Sequence, residues 1–189
     1  MTRGRVILLS GPSGVGKGTI INRLLAACSD LKLAISATTR APREDEKNKK
    51  NYYFLSDSEF DQKIKENAFI EWCHVLNNRY GTLKSEVETR IEKGENLIIE
   101  IDTQGAQKAK KVMPDILSIF IAPPSIEELR KRLVNRKTES AEEVDVRLRK
   151  AELELNEIGK YDYVVVNDSI DVATTDILNL VHEKINSNC

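Results

Sequence analysis

A glycine-rich loop between a short apolar run and an amphipathic segment is the feature that most constrains this chain. The stretch from Arg5 to Thr19 reads R-V-I-L-L-S-G-P-S-G-V-G-K-G-T. Val6 to Leu9 is a continuous run of branched aliphatic residues, which is typical of a strand buried on both faces of a parallel sheet. Apolar residues then recur at helical spacing from Ile20 to Cys28. The stretch therefore predicts a strand, a tight loop and a helix in direct succession.

The composition of this loop indicates a phosphate-binding site. Its glycines can turn successive backbone N–H groups toward an anion; they are Gly11, Gly14 and Gly16. Lys17 adds an ammonium group, and the following helix directs the positive end of its dipole at the same place. The pattern is G-x-x-x-x-G-K-[ST], except that Gly18 stands where a serine or threonine normally ligates magnesium. We expect a nucleoside phosphate site in which Thr19 or a water molecule ligates magnesium in place of that hydroxyl.

Length and charge exclude several classes of protein. At 189 residues the chain is long enough for one globular domain with small inserted lobes. Its 29 basic and 30 acidic residues leave a net charge of -1. Such a chain has no overall field to attract a nucleic-acid backbone or an anionic membrane, so any anion site must be local. We expect small-molecule substrates, no nucleic acid, no membrane and, as an assembly, a possible homodimer.

Cysteine spacing and hydropathy favour a cytoplasmic location. The three cysteines, Cys28, Cys73 and Cys189, fit neither a disulfide framework nor the spacing of a zinc site. The chain begins without a charged leader and a long apolar region, and no apolar run approaches the roughly 18 residues of a membrane span. We therefore expect a cytoplasmic protein.

Strands and helices alternate along the chain. Further apolar runs predict strands at 31–36, 97–101, 116–121 and 163–166, and those at 97–101 and 163–166 are expected to be buried. Amphipathic segments between and after them predict helices at 85–93, from about 105, at 142–158 and at 172–185. Alternation of this kind implies a parallel sheet with right-handed crossovers. The predicted fold class is α/β.

The segment 37–83 interrupts the alternation. Its first part, 37–50, is polar and lacks periodicity, and it carries Arg40 and Arg43 just after a strand end. Alone, these arginines would read as solvated surface charge. Their position favours ligand binding, because ligands of open α/β sheets collect outside the carboxyl ends of the strands. Ser56 and Glu59 then predict a capping box at the start of a helix.

A carboxylate inside an apolar strand is the least expected feature of this segment. Glu71 lies within F-I-E-W-C-H-V, and a turn at Asn77 and Asn78 brings Tyr80 and Thr82 back opposite it. Glu71 could belong to the solvent-facing side of an edge strand, or it could face a ligand. Both interpretations are open on the residues alone.

Two more groups of charged residues allow a functional and a structural interpretation. Glu100 and Asp102 end a strand beside the phosphate loop, where acidic residues commonly hold magnesium through water, although Asp102 could also simply cap the next helix. Two helices joined by a polar loop follow, with arginines that could close over bound phosphates or form an ordinary solvated face. These lid arginines are Arg136 and Arg147.

Beyond these local patterns, a series of sequence blocks resembles the guanylate kinase family. The blocks occur in that family's order and cover nearly the whole chain: S-G-P-S-G-V-G-K-G-T, S-A-T-T-R-A-P-R, Tyr52, F-I-E-W, Y-G-T, I-D-T-Q-G, I-F-I-A-P-P-S and V-V-N-D. The resemblance implies a P-loop kinase fold with an inserted GMP-binding lobe and a helical lid. The implied parts are a core at about 1–36, 84–131 and 157–189, the lobe at about 37–83 and the lid at about 132–156.

The resemblance also implies the reaction and the residues that perform it. ATP would donate its γ-phosphoryl group to GMP or dGMP, with Mg²⁺, giving ADP and GDP. The matching GMP-site positions are Ser36, Arg40, Arg43, Tyr52, Glu71, Tyr80, Thr82 and Asp102. The matching ATP-site positions are Ser13, Gly14, Val15, Gly16, Lys17, Gly18, Thr19 and Asn167. Residues implied to stabilise the transferred phosphoryl group are Lys17, Arg40, Arg136 and Arg147.

Two differences from relatives and two other function classes stay open. Thr82 stands where relatives often have serine, which retains the hydroxyl, and Glu100 stands where some have aspartate. Guanylate-kinase-like domains also occur as protein-binding modules that recognise phosphorylated peptides, and a related P-loop kinase could act on another small phosphate ester. Lys17 and the lid arginines favour the enzyme over the module.

Overall fold

The computed structural model describes residues 3–75, 77–135 and 140–185. The strands are β1 (Val6–Ser10), β2 (Leu31–Leu33), β3 (Ala37–Thr38), β4 (Tyr53–Phe54), β5 (Phe69–Val75), β6 (Asn78–Leu83), β7 (Asn96–Glu100), β8 (Leu117–Ala122) and β9 (Tyr163–Val166). The helices are α1 (Lys17–Ala27), α2 (Asp57–Lys65), α3 (Lys84–Glu92), α4 (Thr103–Val112), α5 (Ile126–Asn135), α6 (Ala141–Leu155) and α7 (Ile170–Ile185). A short 3₁₀ helix, Ile158–Lys160, precedes β9.

A five-stranded parallel sheet forms the centre of the molecule, in the order β2, β7, β1, β8, β9. The middle strand, β1, is buried along its whole length, as its branched aliphatic composition predicts. Leu8 lies between Ile99 of β7 and Ser118 of β8 in the parallel register. The loop after β1 therefore emerges at the carboxyl edge of the sheet, beside the ends of both neighbouring strands.

Each face of this sheet is covered by helices. The alternating side chains of β1 separate the two sides: Ile7 and Leu9 join a cluster with α1 and α7, whereas Val6 and Leu8 join one with α3 and α4. Burial of such aliphatic side chains contributes about 1.5–3 kcal/mol each. The structure confirms the predicted α/β class with a parallel sheet.

A smaller four-stranded sheet, in the order β4, β3, β6, β5, occupies the segment 37–83. It packs against α2 through Ala37, Phe60, Phe69 and Leu83. The predicted capping box of α2 is present, because the Ser56 hydroxyl accepts from the Glu59 backbone N–H at 3.2 Å and the Glu59 carboxylate accepts from the Ser56 N–H at 2.7 Å.

Helices α5 and α6 pack on each other beside the loop that follows β1. Their shared apolar cluster consists of Leu129, Leu133, Val144, Leu148 and Ala151. The segment 136–139 between them, which includes the predicted lid residue Arg136, lies outside the described residues. The division of the chain into core, lobe and lid remains a prediction.

The structure corrects several local expectations. The strand expected at 31–36 ends at Leu33, whose side chain is 41% exposed because β2 is an edge strand. β9 is the opposite edge rather than a buried strand, so Val164 and Val166 are 42% and 50% exposed. The polar stretch 37–50 begins with a short strand, β3, that pairs with β6 in the smaller sheet.

The cysteines also differ from expectation. Cys73 is a free thiol, but Cys28 is disulfide-bonded, so the expectation that the cysteine spacing made no disulfide was wrong. Spacing along the chain does not determine which thiols the fold brings together. Within the part of the chain that the structure describes, every helix is too short or too polar to cross a bilayer.

Candidate active site

The loop between β1 and α1 adopts a backbone that only glycine accommodates at its ends. Gly11 has a φ of 146°, and a Cβ atom there would lie 2.2 Å from the carbonyl oxygen of Ile121. Gly16 has a φ of 99° and caps α1, and a Cβ there would lie 2.7 Å from the amide nitrogen of Asn167. These positive φ values turn the loop into a cradle at the N-terminus of α1, where backbone N–H groups can bind an anion.

Lys17 folds over this cradle. Its Nζ donates to the carbonyl oxygens of Gly11 at 2.7 Å and Pro12 at 3.1 Å. Burial lowers the pKa of Lys17, while the charges of Glu100 and Glu154 oppose that shift. The ammonium is thus held at the mouth of the loop, where the oxygens of a phosphate can take the place of the two carbonyls.

Asn167 supports the loop from the other side. Its side chain is 1% exposed, and its Nδ2 donates to the carbonyl oxygen of Val15 at 2.7 Å. Its backbone carbonyl accepts from Arg132 Nη1 at 2.8 Å. The structure therefore shows Asn167 as a support of the phosphate loop. Its direct contact with ATP remains a prediction.

Arg147 of α6 reaches the same loop. Its Nη1 donates to the hydroxyl of Ser13 at 2.6 Å. The packing of α5 against α6 fixes the backbone position of Arg147. Leu133 of α5 also contacts the loop at Gly14. One predicted lid arginine therefore lies beside the phosphate loop.

A cavity of about 350 Å³ connects Lys17 with the smaller sheet. Predicted site residues supply much of its lining: Lys17, Ser36, Tyr52, Glu71, Tyr80, Glu100 and Asp102. A second cavity, of about 370 Å³, lies beside Gly4 and Arg5 at the other end of the parallel strands and contains none of the predicted site residues. The cavity next to Lys17 is therefore the candidate substrate site.

The buried wall of this cavity carries Glu71. The side chain is 3% exposed, which excludes the alternative of a solvent-facing carboxylate. Oε1 accepts from the hydroxyl of Thr82 at 2.8 Å, across the pair of strands β5 and β6, whereas Oε2 is buried without a hydrogen-bond partner among the described residues. Burial raises the pKa of Glu71 to about 7, although the hydrogen bond from Thr82 opposes the shift. A buried acceptor in this state is stabilised by a donor, which water or a ligand in the cavity can supply.

Gly105 provides the space that Oε2 requires. A Cβ atom on Gly105 would lie 2.8 Å from Glu71 Oε2 and 3.3 Å from Asp102 Oδ1. Asp102 is the N-cap of α4, and its Oδ1 accepts from the Gly105 N–H at 2.8 Å. The structural interpretation of Asp102 as a helix cap is thus confirmed, and the same residue also lines the cavity.

A cationic cluster lies at the outer end of the smaller sheet. The guanidinium of Arg40 lies over the ring of Tyr52 at 5.5 Å, and the rings of Tyr52 and Tyr80 meet edge to face at 6.1 Å. Arg43 is three residues further along the same loop and exposed. The arrangement places positive charge and two phenol hydroxyls together, as an anionic substrate requires.

Sequence reasoning missed two residues in contact with these groups. Glu46 binds Arg40 through a salt bridge of 2.8 Å, and Arg132 donates to the backbone of Asn167. Glu46 lies in a polar loop, where a glutamate is usually solvated. For Arg132 the sequence offered only a charge on a helix, which is usually a solvated face.

Together these features define a class of protein. A parallel sheet whose central strand leads into a glycine-rich loop and a lysine-bearing helix is the phosphate-loop kinase fold, here with its cavity next to that lysine.

Comparison with known proteins identifies the family within this class. The family model described as guanylate kinase matches residues 3–184, and the chain belongs to the guanylate kinase family. Curated guanylate kinases of Caldanaerobacter subterraneus subsp. tengcongensis and Pseudoalteromonas translucida are 49% and 44% identical to it; each alignment covers 95% of this chain and 87% of the relative. The crystal structure of guanylate kinase from Anaplasma phagocytophilum is 34% identical, covers 100% of this chain and 90% of that one, and has a TM-score of 0.76.

Proposed function

We propose that this protein transfers the γ-phosphoryl group of ATP to GMP or dGMP, producing ADP and the corresponding diphosphate. Membership of the guanylate kinase family supports the reaction. The observation that carries the choice of base is the buried, unpaired Oε2 of Glu71 in the cavity beside Lys17.

The hydrogen-bonding groups of guanine match this wall. Guanine presents two adjacent donors, N1–H and the 2-amino group, and O6 as an acceptor. The ionised carboxylate of Glu71 accepts from those donors, and the hydroxyl of Ser36, which lines the same cavity, is a donor for O6. The hydroxyl of Thr82 donates to Glu71 itself and so holds the carboxylate in place. Adenine has an acceptor at N1 and no 2-amino group, so it would leave Glu71 unpaired. Sites that leave buried polar groups unpaired can reject a substrate by ~10⁴-fold or more.

Positioning and charge neutralisation account for the chemical step. Phosphoryl transfer needs two anionic substrates held in line and the charge spread over the transferred group neutralised. Lys17 and the N-terminus of α1 bind the donor phosphates, and Arg147 approaches from α6. Arg40, in the loop that follows β3 of the smaller sheet, adds a further cation. We assign the fourth cation, Arg136, from family resemblance alone.

The acceptor phosphate belongs at the cluster of Arg40, Arg43, Tyr52 and Tyr80. Arginine forms bidentate hydrogen bonds to phosphate, and the two phenol hydroxyls add neutral donors. Tyr52 and Tyr80 of this cluster line the same cavity as Glu71.

The residues present fit a magnesium ion carried by ATP rather than a preformed protein site. Within the described residues there is no cluster of three or more histidine, cysteine or acidic side chains that could hold a metal. Thr19 is exposed on the first turn of α1, and Glu100 and Asp102 line the cavity with Lys17, so these three would act directly or through water. When bound, Mg²⁺ would neutralise charge on the transferring phosphates.

The proposed biological setting follows from the substrates. We place the reaction in the cytoplasm, within purine nucleotide metabolism and GMP recycling, because ATP and GMP are its reactants. We propose small-molecule partners only, without nucleic acid or membrane, and a homodimer as the assembly to test.

A panel of phosphate acceptors tests the proposed function. Coupled measurement of ADP release with GMP, dGMP, AMP, UMP and ribose bisphosphate should show turnover with GMP and dGMP and little with the others. Turnover with a different acceptor would indicate a related P-loop kinase. No turnover with any acceptor, together with binding of phosphorylated peptides, would indicate a protein-binding module.

A further inference from the structure

Glu46 connects the two arginines assigned to the acceptor phosphate. Its Oε1 lies 2.8 Å from Arg40 Nη2, and its Oε2 accepts from the Arg43 backbone N–H at 2.8 Å. The Glu46 N–H in turn donates to the carbonyl oxygen of Arg43 at 3.0 Å, so a closed turn runs from Arg43 to Glu46.

We propose that Glu46 is a positioning residue for the acceptor phosphate, because it fixes the guanidinium of Arg40 and the backbone of Arg43 in the arrangement that grips that phosphate. The proposal rests on the proposed function, since it assumes that GMP binds at this cluster. Glu46 itself carries negative charge and does not contact the phosphate.

The hydrogen-bonding capacity of Arg40 allows both tasks at once. A guanidinium has five N–H donors. Glu46 uses one on Nη2, and the carbonyl oxygen of Ala41 uses one on Nη1 at 2.9 Å. The face of the group lies over Tyr52 and Phe54, at 5.5 and 5.9 Å from the ring centroids. Arg40 also donates a hydrogen bond to the Tyr80 side chain. The remaining donors lie in a plane whose orientation is set on one edge by Glu46 and on one face by the rings.

The ion pair is sheltered and stays ionised. The side chains of Arg40 and Glu46 are 19% and 16% exposed. Hydrogen bonds from Arg40 and from the Arg43 N–H hold the pKa of Glu46 to about 2, and the hydrogen bond to Glu46 raises that of Arg40. Partial shelter makes such a pair stronger than one in open solvent, where pairs contribute little.

The opposite role for Glu46 would be a counter-ion that GMP must displace. The geometry favours positioning, because Glu46 is held at two points and its departure would also open the turn that presents Arg43. The two roles predict opposite signs. If Glu46 only competed with phosphate, then removal of its negative charge would strengthen GMP binding, whereas loss of a positioning residue weakens GMP binding despite the more favourable net charge.

Calorimetric titration of Glu46→Gln with GMP and with guanosine distinguishes these roles. A glutamine keeps the shape but offers one acceptor where the carboxylate offers two. We expect the Kd of GMP to rise about tenfold, the size typical for loss of a hydrogen bond to a charged group, while the Kd of guanosine is unchanged because it has no phosphate. The matched control is Glu44→Gln, which removes the same charge from an exposed position in the same loop and should leave both values near wild type.

Each other result overturns the inference in a recognisable way. A tighter or unchanged Kd for GMP in Glu46→Gln would make Glu46 a counter-ion or a bystander. Equal weakening of GMP and guanosine binding would make Glu46 a general support of the smaller sheet. In that case a second variant, Glu46→Asp, should not restore GMP binding more than it restores guanosine binding. Failure of the wild-type protein to bind GMP would instead overturn the proposed function, and this inference with it.

Discussion

The carboxylate of Glu71 accepts a hydrogen bond from the hydroxyl of Thr82 at 2.8 Å, across the antiparallel pair formed by β5 and β6. This contact uses one carboxylate oxygen, and the other, Oε2, lies buried beside Gly105 without a hydrogen-bond partner in the part of the chain that the structure describes. The pair thereby orients an acceptor into the cavity that also contains Lys17.

GMP recognition should depend on pH through Glu71. Burial raises the pKa of Glu71 to about 7, and only the ionised group accepts from both guanine donors. GMP binding therefore requires the proton to leave, and the KM for GMP should rise as pH falls through about 7, by up to about tenfold per pH unit. Initial rates between pH 5.5 and 8.5 measure this.

AMP provides the control for that profile, because it carries the same phosphate but offers Glu71 no donors. As the pH is lowered, the ratio of kcat/KM for GMP to kcat/KM for AMP should decrease, and a ratio independent of pH would contradict the assignment.

The raised pKa of Glu71 also affects stability. The contribution of Glu71 to the free energy of unfolding is present below its ordinary pKa of 4.5 and is lost as pH rises through about 7.

Substitution of Lys17 by alanine should abolish turnover without unfolding the protein. Its Nζ donates to the carbonyl oxygens of Gly11 and Pro12, which lie in the phosphate loop itself, so its main task is to meet the phosphates in the transition state. We expect kcat to fall on the order of a thousandfold, from loss of one preorganised charge. Lys32→Ala, at an exposed position on β2, is the control, and near-wild-type kcat in Lys17→Ala would rule out the phosphate-loop assignment.

Arg147 should affect the chemical step more than acceptor binding. It reaches Ser13 of the phosphate loop from α6 and is not among the residues that line the cavity with Glu71. Arg147→Ala should lower kcat by roughly 10²-fold to 10³-fold, as for removal of a donor to transition-state charge, with the KM for GMP within about twofold. Arg149→Ala on the same helix, at an exposed position, should behave like wild type. Equal effects of the two substitutions would show that only the net charge of α6 matters.

Gly18 offers a position for a gain of function. A Cβ atom there would meet nothing within 4 Å, so Gly18→Ser introduces a hydroxyl next to Lys17 without a clash. We expect the Mg²⁺ concentration for half-maximal activity to fall, and the free energy of unfolding to rise by about 0.5 kcal/mol from the better helix propensity of serine.

Gly159→Ser controls for that experiment, because its Cβ also meets nothing within 4 Å and the residue lies in the 3₁₀ helix away from the loop. It should leave the Mg²⁺ requirement unchanged. If Gly18→Ser also leaves it unchanged, the metal is held without help from this position.

Much of the fold was readable from local chemistry. The branched aliphatic run of β1 predicted a fully buried strand, and Ser56 with Glu59 predicted a capping box that the structure contains. The edges of the sheet were not readable in this way. Val164 and Val166 look like core residues along the chain, and only the strand order, which is set by long-range packing, leaves them exposed.

The candidate site was predicted less completely than the fold. Glu71 stood out because a carboxylate in an apolar strand is costly to bury, yet its orientation depends on Thr82 and Gly105, which are distant in sequence. Glu46 did not stand out, because a glutamate in a polar loop is usually solvated. Its role depends on a contact with Arg40 that only the folded loop creates.

Glu71→Gln measured against both GMP and AMP tests the central claim most directly. A glutamine retains an oxygen for one guanine donor but directs its NH₂ at the other, and it no longer carries the charge that disfavours adenine. The wild-type protein should prefer GMP by ~10⁴-fold or more in kcat/KM, and Glu71→Gln should reduce that preference by at least about 10²-fold, mainly through the KM for GMP, with the KM for ATP nearly unchanged. If Glu71→Gln keeps the wild-type preference for GMP over AMP, Glu71 does not recognise the base and the proposed substrate site is wrong.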